Sequence, residues 1–183
     1  MHASSGALTV AGSSLPPPPV NLSRALILAA GRGERMRPLT DATPKPLLAV
    51  RGRPLLQWWL EALQRSGADE LVINTAWLGQ QVEDWATRWQ AQQAAAPRLH
   101  FSPEGRDFGG ALETAGGIAR ALPWLAPHAG DVFAVVAGDI YAPGFRFDPD
   151  TVQRFIAGGK LAHLWLVPNP PHKLEGDFGL DAD

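Results

Sequence analysis

Between Leu26 and Leu48 the chain reads LILAAGRGERMRPLTDATPKPLL. An apolar run ends in Gly31-Arg32-Gly33, and Arg35, Arg37 and then Lys45, set between Pro44 and Pro46, follow it. Glycines placed directly after a strand leave backbone N–H groups free to face an anion. An arginine can grip phosphate oxygens through its fork, and a lysine supplies a compact point charge. The two prolines stiffen the backbone that carries Lys45. The chemistry suggested is the holding of a phosphate chain; the competing reading is a tight turn with solvated surface charges. Two better-known phosphate motifs do not fit. The dinucleotide fingerprint needs a third glycine where Met36 stands, and the P-loop needs a Gly-Lys-Ser/Thr that the chain lacks.

A second candidate lies far downstream, in VVAGDIY. Asp139 follows the end of an apolar run, with Gly138 beside it to admit a ligand. A carboxylate there suits a Mg²⁺ that bridges phosphates; the alternative is an aspartate capping a turn. Glu113, Thr114 and Gly116, in ETAGG, stand at a helix start from which they could approach a base edge or a sugar. For Glu113 and Thr114 a capping role for that helix is the competing reading.

The elements that must position these groups alternate along the chain. Strands are expected at Arg24–Ala30, Glu70–Ala76, Arg98–Pro103, Asp131–Tyr141 and Leu161–Asn169, from short apolar runs bounded by turn residues. Helices are expected at Pro54–Gly67, Gly79–Gln93, Glu113–Leu125 and Pro149–Gly159. Such alternation implies a mostly parallel sheet with helices on both faces. Right-handed crossovers then gather the loops after each strand at one edge, where ligands of such sheets bind. GRGER, SPEGRDFGGALETAGG and AGDIY should meet there. Trp85 and Trp89 share one helical face and are expected in the core, while Trp77, just past a strand, could reach the pocket.

Composition narrows the function classes. The 183 residues suffice for one domain, with residues 1–22 read as a disordered or extended Pro/Ser/Gly-rich tail and 23–183 as the folded unit. Sixteen Lys plus Arg against 18 Asp plus Glu give no basic excess that would point to nucleic acid or anionic lipid. There is no cysteine, which excludes disulfides, thiolate metal sites and cysteine nucleophiles and fits a cytoplasmic setting. No run approaches the roughly 18 apolar residues of a membrane span. The five histidines have no metal-ligand spacing.

LAAGRGERMRPLT followed by PKPLL resembles the signature of sugar-1-phosphate nucleotidylyltransferases, over essentially the whole chain beyond the tail. The resemblance implies a Rossmann-like three-layer α/β/α sandwich, the nucleotide-diphospho-sugar transferase fold, with its C-terminal part missing here. It implies Mg²⁺ as cofactor, held by Asp139, and a nucleoside triphosphate and a sugar 1-phosphate as partners. Arg35, Lys45 and Asp139 would be the catalytic groups. Ala30, Gly31, Gly33, Glu34, Arg35, Lys45, Glu113, Thr114 and Gly116 would take the nucleotide, and Ala137, Gly138 and Asp177 the sugar phosphate. SPEG, LETAGGI, INTAWLGQQVEDW, LVPNP and GDFGL resemble the N-acetylmuramate α-1-phosphate uridylyltransferases of bacterial cell-wall (peptidoglycan) recycling. By that resemblance the nucleotide is UTP and the product UDP-N-acetylmuramate. Ala137 stands where that subfamily has an asparagine, which removes one polar contact to the sugar phosphate. Mannose- or glucose-1-phosphate guanylyl-, thymidylyl- or uridylyltransferases are the alternative, and a nucleotide-sugar-binding remnant without turnover is a third. A cytoplasmic monomer or weak homo-oligomer is expected.

Overall fold

The computed structural model describes residues 22–169, 171, 174–176, 178 and 179. Its main sheet has four parallel strands in the order β5-β4-β1-β6: β1 (Arg24–Leu28), β4 (Glu70–Thr75), β5 (Arg98–Pro103) and β6 (Ala134–Ala137). A hairpin of two short strands, β2 (Ala49–Val50) and β3 (Arg53–Pro54), stands apart from it. Its turn uses Arg51 and Gly52, both at positive φ, as a two-residue hairpin turn of the primed type requires. The helices are α1 (Leu39–Ala42), α2 (Leu55–Arg65), α3 (Gly79–Ala91), α4 (Glu104–Phe108), α5 (Glu113–Leu125) and α6 (Pro149–Ala157).

Strand alternation explains the layers. In β1 and β4, Ala25, Ile27, Leu71 and Ile73 point to one face, where Leu56, Trp59, Leu60 and Leu63 of α2 pack with Val82, Ala86 and Trp89 of α3 and Val152 of α6. The α2 residues recur at helical spacing, so one stripe of the helix is buried. Leu26 and Val72 point to the other face and meet Ala121 and Leu125 of α5. Both strands are therefore apolar on both sides, as a sheet covered twice must be. The three-layer α/β/α sandwich is thus present, and Trp89 lies in the core with Trp85 packed against it. Leu22, at the boundary drawn for the tail, is also part of this core.

Two strands differ from expectation. The strand expected over Asp131–Tyr141 is paired only over Ala134–Ala137, because among the described residues it lies at the sheet edge with one neighbour, β1, which offers a ladder from Ala25 to Leu28. The strand expected over Leu161–Asn169 does not form. That segment pairs with no strand among the described residues, and Leu161, Leu164 and Val167 are exposed. Apolar composition supplies no ladder partner. Instead Trp165 sets its ring edge-on against Phe145 and Phe147, at centroid distances of 5.6 and 5.2 Å.

Candidate active site

The carboxyl ends of the strands open into a cleft of about 1020 Å³, lined in part by Gly31, Arg32, Lys45, Trp77, Glu113 and Asp139. The three segments expected to converge do so. The glycine loop arrives from β1, residues 103–114 from β5, and Asp139 from β6.

The loop's shape follows from Gly33. It sits at φ 68°, and a Cβ there would stand 3.0 Å from Thr40 Cγ2 and 3.3 Å from Lys45 Cβ. Glycine is needed both for the left-handed backbone and for the approach of the Lys45 stem. The Gly33 carbonyl accepts from the Met36 N–H at 2.9 Å and from the Thr40 hydroxyl at 2.8 Å, which ties the loop to α1. Gly31 is exposed and has nothing within 4 Å of an added Cβ, so its backbone faces open space.

Lys45 lies between two buried prolines, at the start of a single 3₁₀ turn (Lys45–Leu47). Its Nζ donates to Asp139 Oδ2 at 2.5 Å, across 94 positions of sequence. Asp139 is set by its neighbours. The Gly138 N–H extends the β1 ladder by donating to the Leu28 carbonyl at 2.9 Å, and Trp59 Nε1 donates to the Ile140 carbonyl at 2.8 Å. A Cβ at Gly138 would stand 3.0 Å from Ile27 Cγ2 and from the Leu28 oxygen, so this glycine serves close packing against β1. The Asp139 side chain is 38% exposed, so its carboxylate stays reachable from the cleft. No group of three or more His, Asp or Glu that could hold a metal occurs among the described residues. One reachable carboxylate still fits Mg²⁺, which is commonly held by one or two carboxylates with substrate phosphates completing the shell.

The other cations of the loop divide into two kinds. Arg37 Nε and Arg32 Nη2 both bond Asp41 Oδ1, at 2.8 and 3.2 Å, and the Arg32 guanidinium lies over the Trp77 ring, 3.5 Å from its centroid. Both Arg32 and Trp77 also donate to the Thr40 carbonyl, at 3.1 and 2.9 Å. Arg35, in the exposed 3₁₀ turn Glu34–Met36, has no hydrogen-bond or ion-pair partner among the described residues.

Of the predicted residues, Ala30, Gly31, Lys45, Glu113, Thr114, Ala137 and Asp139 line the cleft. Gly33, Glu34, Arg35, Gly116 and Gly138 are not in its lining. Gly116 packs against the Leu112 side chain, where a Cβ would come within 2.8 Å. Asp177 lies outside the described residues. Glu113 takes φ 59°, a left-handed conformation that non-glycine residues adopt at a cost, and it turns the chain into α5. Neither Glu113 nor Thr114 makes a capping bond to the first turn, so the capping alternative has no support. Sequence reasoning passed over Arg32 and Asn74. The signals were an arginine inside the glycine pair and an asparagine closing an otherwise apolar strand.

Residues 25–169 match the MobA-like NTP transferase domain. The chain belongs to that family. It is 50% identical over 165 residues to the N-acetylmuramate alpha-1-phosphate uridylyltransferase of Neisseria meningitidis, a match covering 87% of this chain and 65% of that protein. It is 40% identical over 101 residues to the protein of the same name from Caulobacter vibrioides, covering 55% of this chain and 40% of the relative. The chain thus spans less than two thirds of these relatives' length. In fold it is similar to the HddC protein of Yersinia pseudotuberculosis complexed with GMP-PN, at a TM-score of 0.56 and 23% identity, over 74% of this chain and 53% of that one. No helix among the described residues is long and apolar enough to cross a membrane.

Proposed function

We propose that this domain transfers a nucleotidyl group to a sugar 1-phosphate, with UTP and N-acetylmuramate α-1-phosphate as substrates and UDP-N-acetylmuramate and pyrophosphate as products. The observation that carries the reading is the Lys45–Asp139 pair facing a glycine loop in a cleft at the carboxyl edge of the sheet. The 50% identity to the Neisseria uridylyltransferase supports the choice of nucleotide and sugar.

In this reading a phosphate oxygen of the sugar 1-phosphate attacks the α-phosphorus of UTP in line. A new P–O bond forms, the bond from the α-phosphorus to the bridging oxygen breaks, and pyrophosphate leaves with that electron pair. The attacking phosphate is already ionised, so no general base is required. Positioning and neutralisation of charge supply the catalysis. The open backbone at Gly31 and the Lys45 ammonium receive the triphosphate. Arg35, exposed and without a partner among the described residues, adds a fork for phosphate oxygens. When bound, Mg²⁺ on Asp139 would neutralise charge on the bridging phosphates. Lys45 and Asp139 bond each other and exchange partners when nucleotide enters.

The test is pyrophosphate release with UTP, Mg²⁺ and N-acetylmuramate α-1-phosphate, set beside glucose and mannose 1-phosphates and GTP. Turnover greatest with UTP and the N-acetylmuramate ester is the expected result. If UTP raises the melting temperature and no sugar phosphate gives turnover, the chain is a nucleotide-binding half-site. Absence of any nucleotide effect would remove the reading altogether.

A further inference from the structure

Glu104 is fully buried, with 0% of its surface exposed, and it has no cationic partner among the described residues. Burying a carboxylate without a cation is costly, and an apolar residue of similar size is often the more stable choice. The hydrogen bonds around Glu104 indicate what the position does. Its Oε1 accepts from Asn74 Nδ2 at 2.9 Å and its Oε2 accepts from the Leu112 N–H at 2.7 Å. Asn74, itself 2% exposed, accepts the Ala29 N–H on its Oδ1 at 2.6 Å. Ala29 follows β1 and stands two residues before Gly31, and Leu112 precedes the left-handed Glu113 that opens α5. Three bonds, two of them buried and one partly buried, therefore join the two walls of the cleft through side chains of β4 and α4. Gly117 permits the arrangement. A Cβ there would stand 2.8 Å from Asn74 Nδ2 and 3.0 Å from Glu104 Oε1.

We propose that the Asn74–Glu104 pair is a positioning element that fixes the glycine loop and the first turn of α5 at a set separation, and so sets nucleoside triphosphate affinity. The proposal rests on the reading that this cleft takes a nucleoside triphosphate. Both neighbours of the Glu104 carboxyl are donors, so only a group with two accepting oxygens satisfies them. Glu104→Gln places an NH₂ against one of those donors. Asn74→Asp combined with Glu104→Gln pairs every group again. The introduced carboxylate accepts from the Ala29 N–H and from the introduced amide NH₂, and the amide oxygen accepts from the Leu112 N–H. Net charge is then the same as in the wild type.

The test measures UTP affinity by calorimetry and the exchange of the Ala29 and Leu112 amide protons by NMR in wild type, Glu104→Gln and the double variant. Glu104→Gln should weaken UTP binding about tenfold and speed exchange at Leu112 or, if the amide oxygen stays on Leu112 and the NH₂ displaces Asn74, at Ala29, since one of the two donors loses its acceptor. The double variant should recover slow exchange and bring affinity to within about threefold of wild type. Val152→Ala, which thins the core at α6 away from the cleft, controls for lost stability. It should lower Tm and leave UTP affinity unchanged. Wild-type affinity in Glu104→Gln overturns the proposal. So does an equal loss in Val152→Ala at a matched drop in Tm, or a double variant that regains slow exchange without affinity. If the wild type binds no nucleotide, the functional reading fails and amide exchange alone decides. Rapid exchange in the single variant and slow exchange in the double variant then uphold the coupling of the two walls, and unchanged exchange overturns it.

Discussion

The two edges of the sheet both gather charge, yet they leave it in opposite states. At the amino edge, Arg24 Nε bonds Glu70 at 3.2 Å, its Nη1 bonds Asp131 at 3.2 Å, and His100 Nε2 reaches the other Glu70 oxygen at 2.7 Å. Asp131 also accepts from the His128 N–H at 3.0 Å. Every side chain in that network has a partner within it. At the carboxyl edge, Lys45 and Asp139 have only each other among the described residues, Arg35 has no partner there, and a cleft lies in front of them. Charge density alone therefore does not mark a site. Charge with bonding capacity left over, facing space, does.

The comparison is broken most forcefully at Lys45. Lys45→Ala should weaken UTP binding about 100-fold, equivalent to about 2.8 kcal/mol, as expected when about two charge-assisted hydrogen bonds to phosphate are lost. Thermal stability should change little, because Lys45 is paired only with the reachable Asp139. Titration calorimetry and a melting curve on the same sample check both halves. Unchanged affinity would sink the phosphate role.

Gly33→Ala attacks the same edge through the backbone. Its φ of 68° and the 3.3 Å approach of the Lys45 stem leave no room for a methyl group. Left-handed alanine costs about 1 kcal/mol and the contact adds to it, so a loss of about 2 kcal/mol of stability is expected from chemical denaturation. The variant should also lose UTP affinity, because Lys45 must move. Full affinity in a destabilised variant would detach the loop from the lysine.

Asp139→Asn sharpens the picture of a pair that exchanges partners. With Mg²⁺ present, wild-type UTP affinity should rise about tenfold over the metal-free value, and the variant should lose that rise. Without metal, the variant should bind UTP at least as well as wild type, since Lys45 is no longer neutralised. A variant that keeps the full Mg²⁺ response would show that the carboxylate does not hold the ion.

How much of this was legible follows from how local each signal is. The Gly31–Lys45 string was legible because proline and glycine restrict the backbone whatever surrounds them. The helices α2, α3, α5 and α6 were legible from their apolar spacing. The Lys45–Asp139 contact joins residues 94 apart, and only the parallel order β4-β1-β6 brings their ends together. The sequence therefore nominated both residues without stating their contact. The failed strand at 161–169 marks the reverse limit. A ladder requires a neighbour, and no one-dimensional pattern supplies one. Glu104, within SPEG, carried no signal of its role, because a buried carboxylate and an exposed one look alike in a sequence.

The smallest effect belongs to the amino edge and serves as the control. Burial pushes the Glu70 carboxyl up, but the hydrogen bonds and charges of His100 and Arg24 outweigh it and hold the group below its ordinary value of 4.5. The folded state therefore releases this proton more readily than the unfolded state. Its contribution to stability is fully present above about pH 4.5 and is lost as the pH falls through the lowered folded-state value. Glu70→Gln should cost on the order of 1 kcal/mol at neutral pH, the scale of a partly exposed ion pair with hydrogen bonds. It should also flatten the fall of Tm as the pH drops below about 4.5, relative to wild type. UTP affinity at neutral pH should not move, because the satisfied network has nothing to lend a ligand at the far edge. If Glu70→Gln weakened UTP binding as Lys45→Ala is expected to, the two edges would be coupled, and unsatisfied charge would no longer distinguish the site from the scaffold.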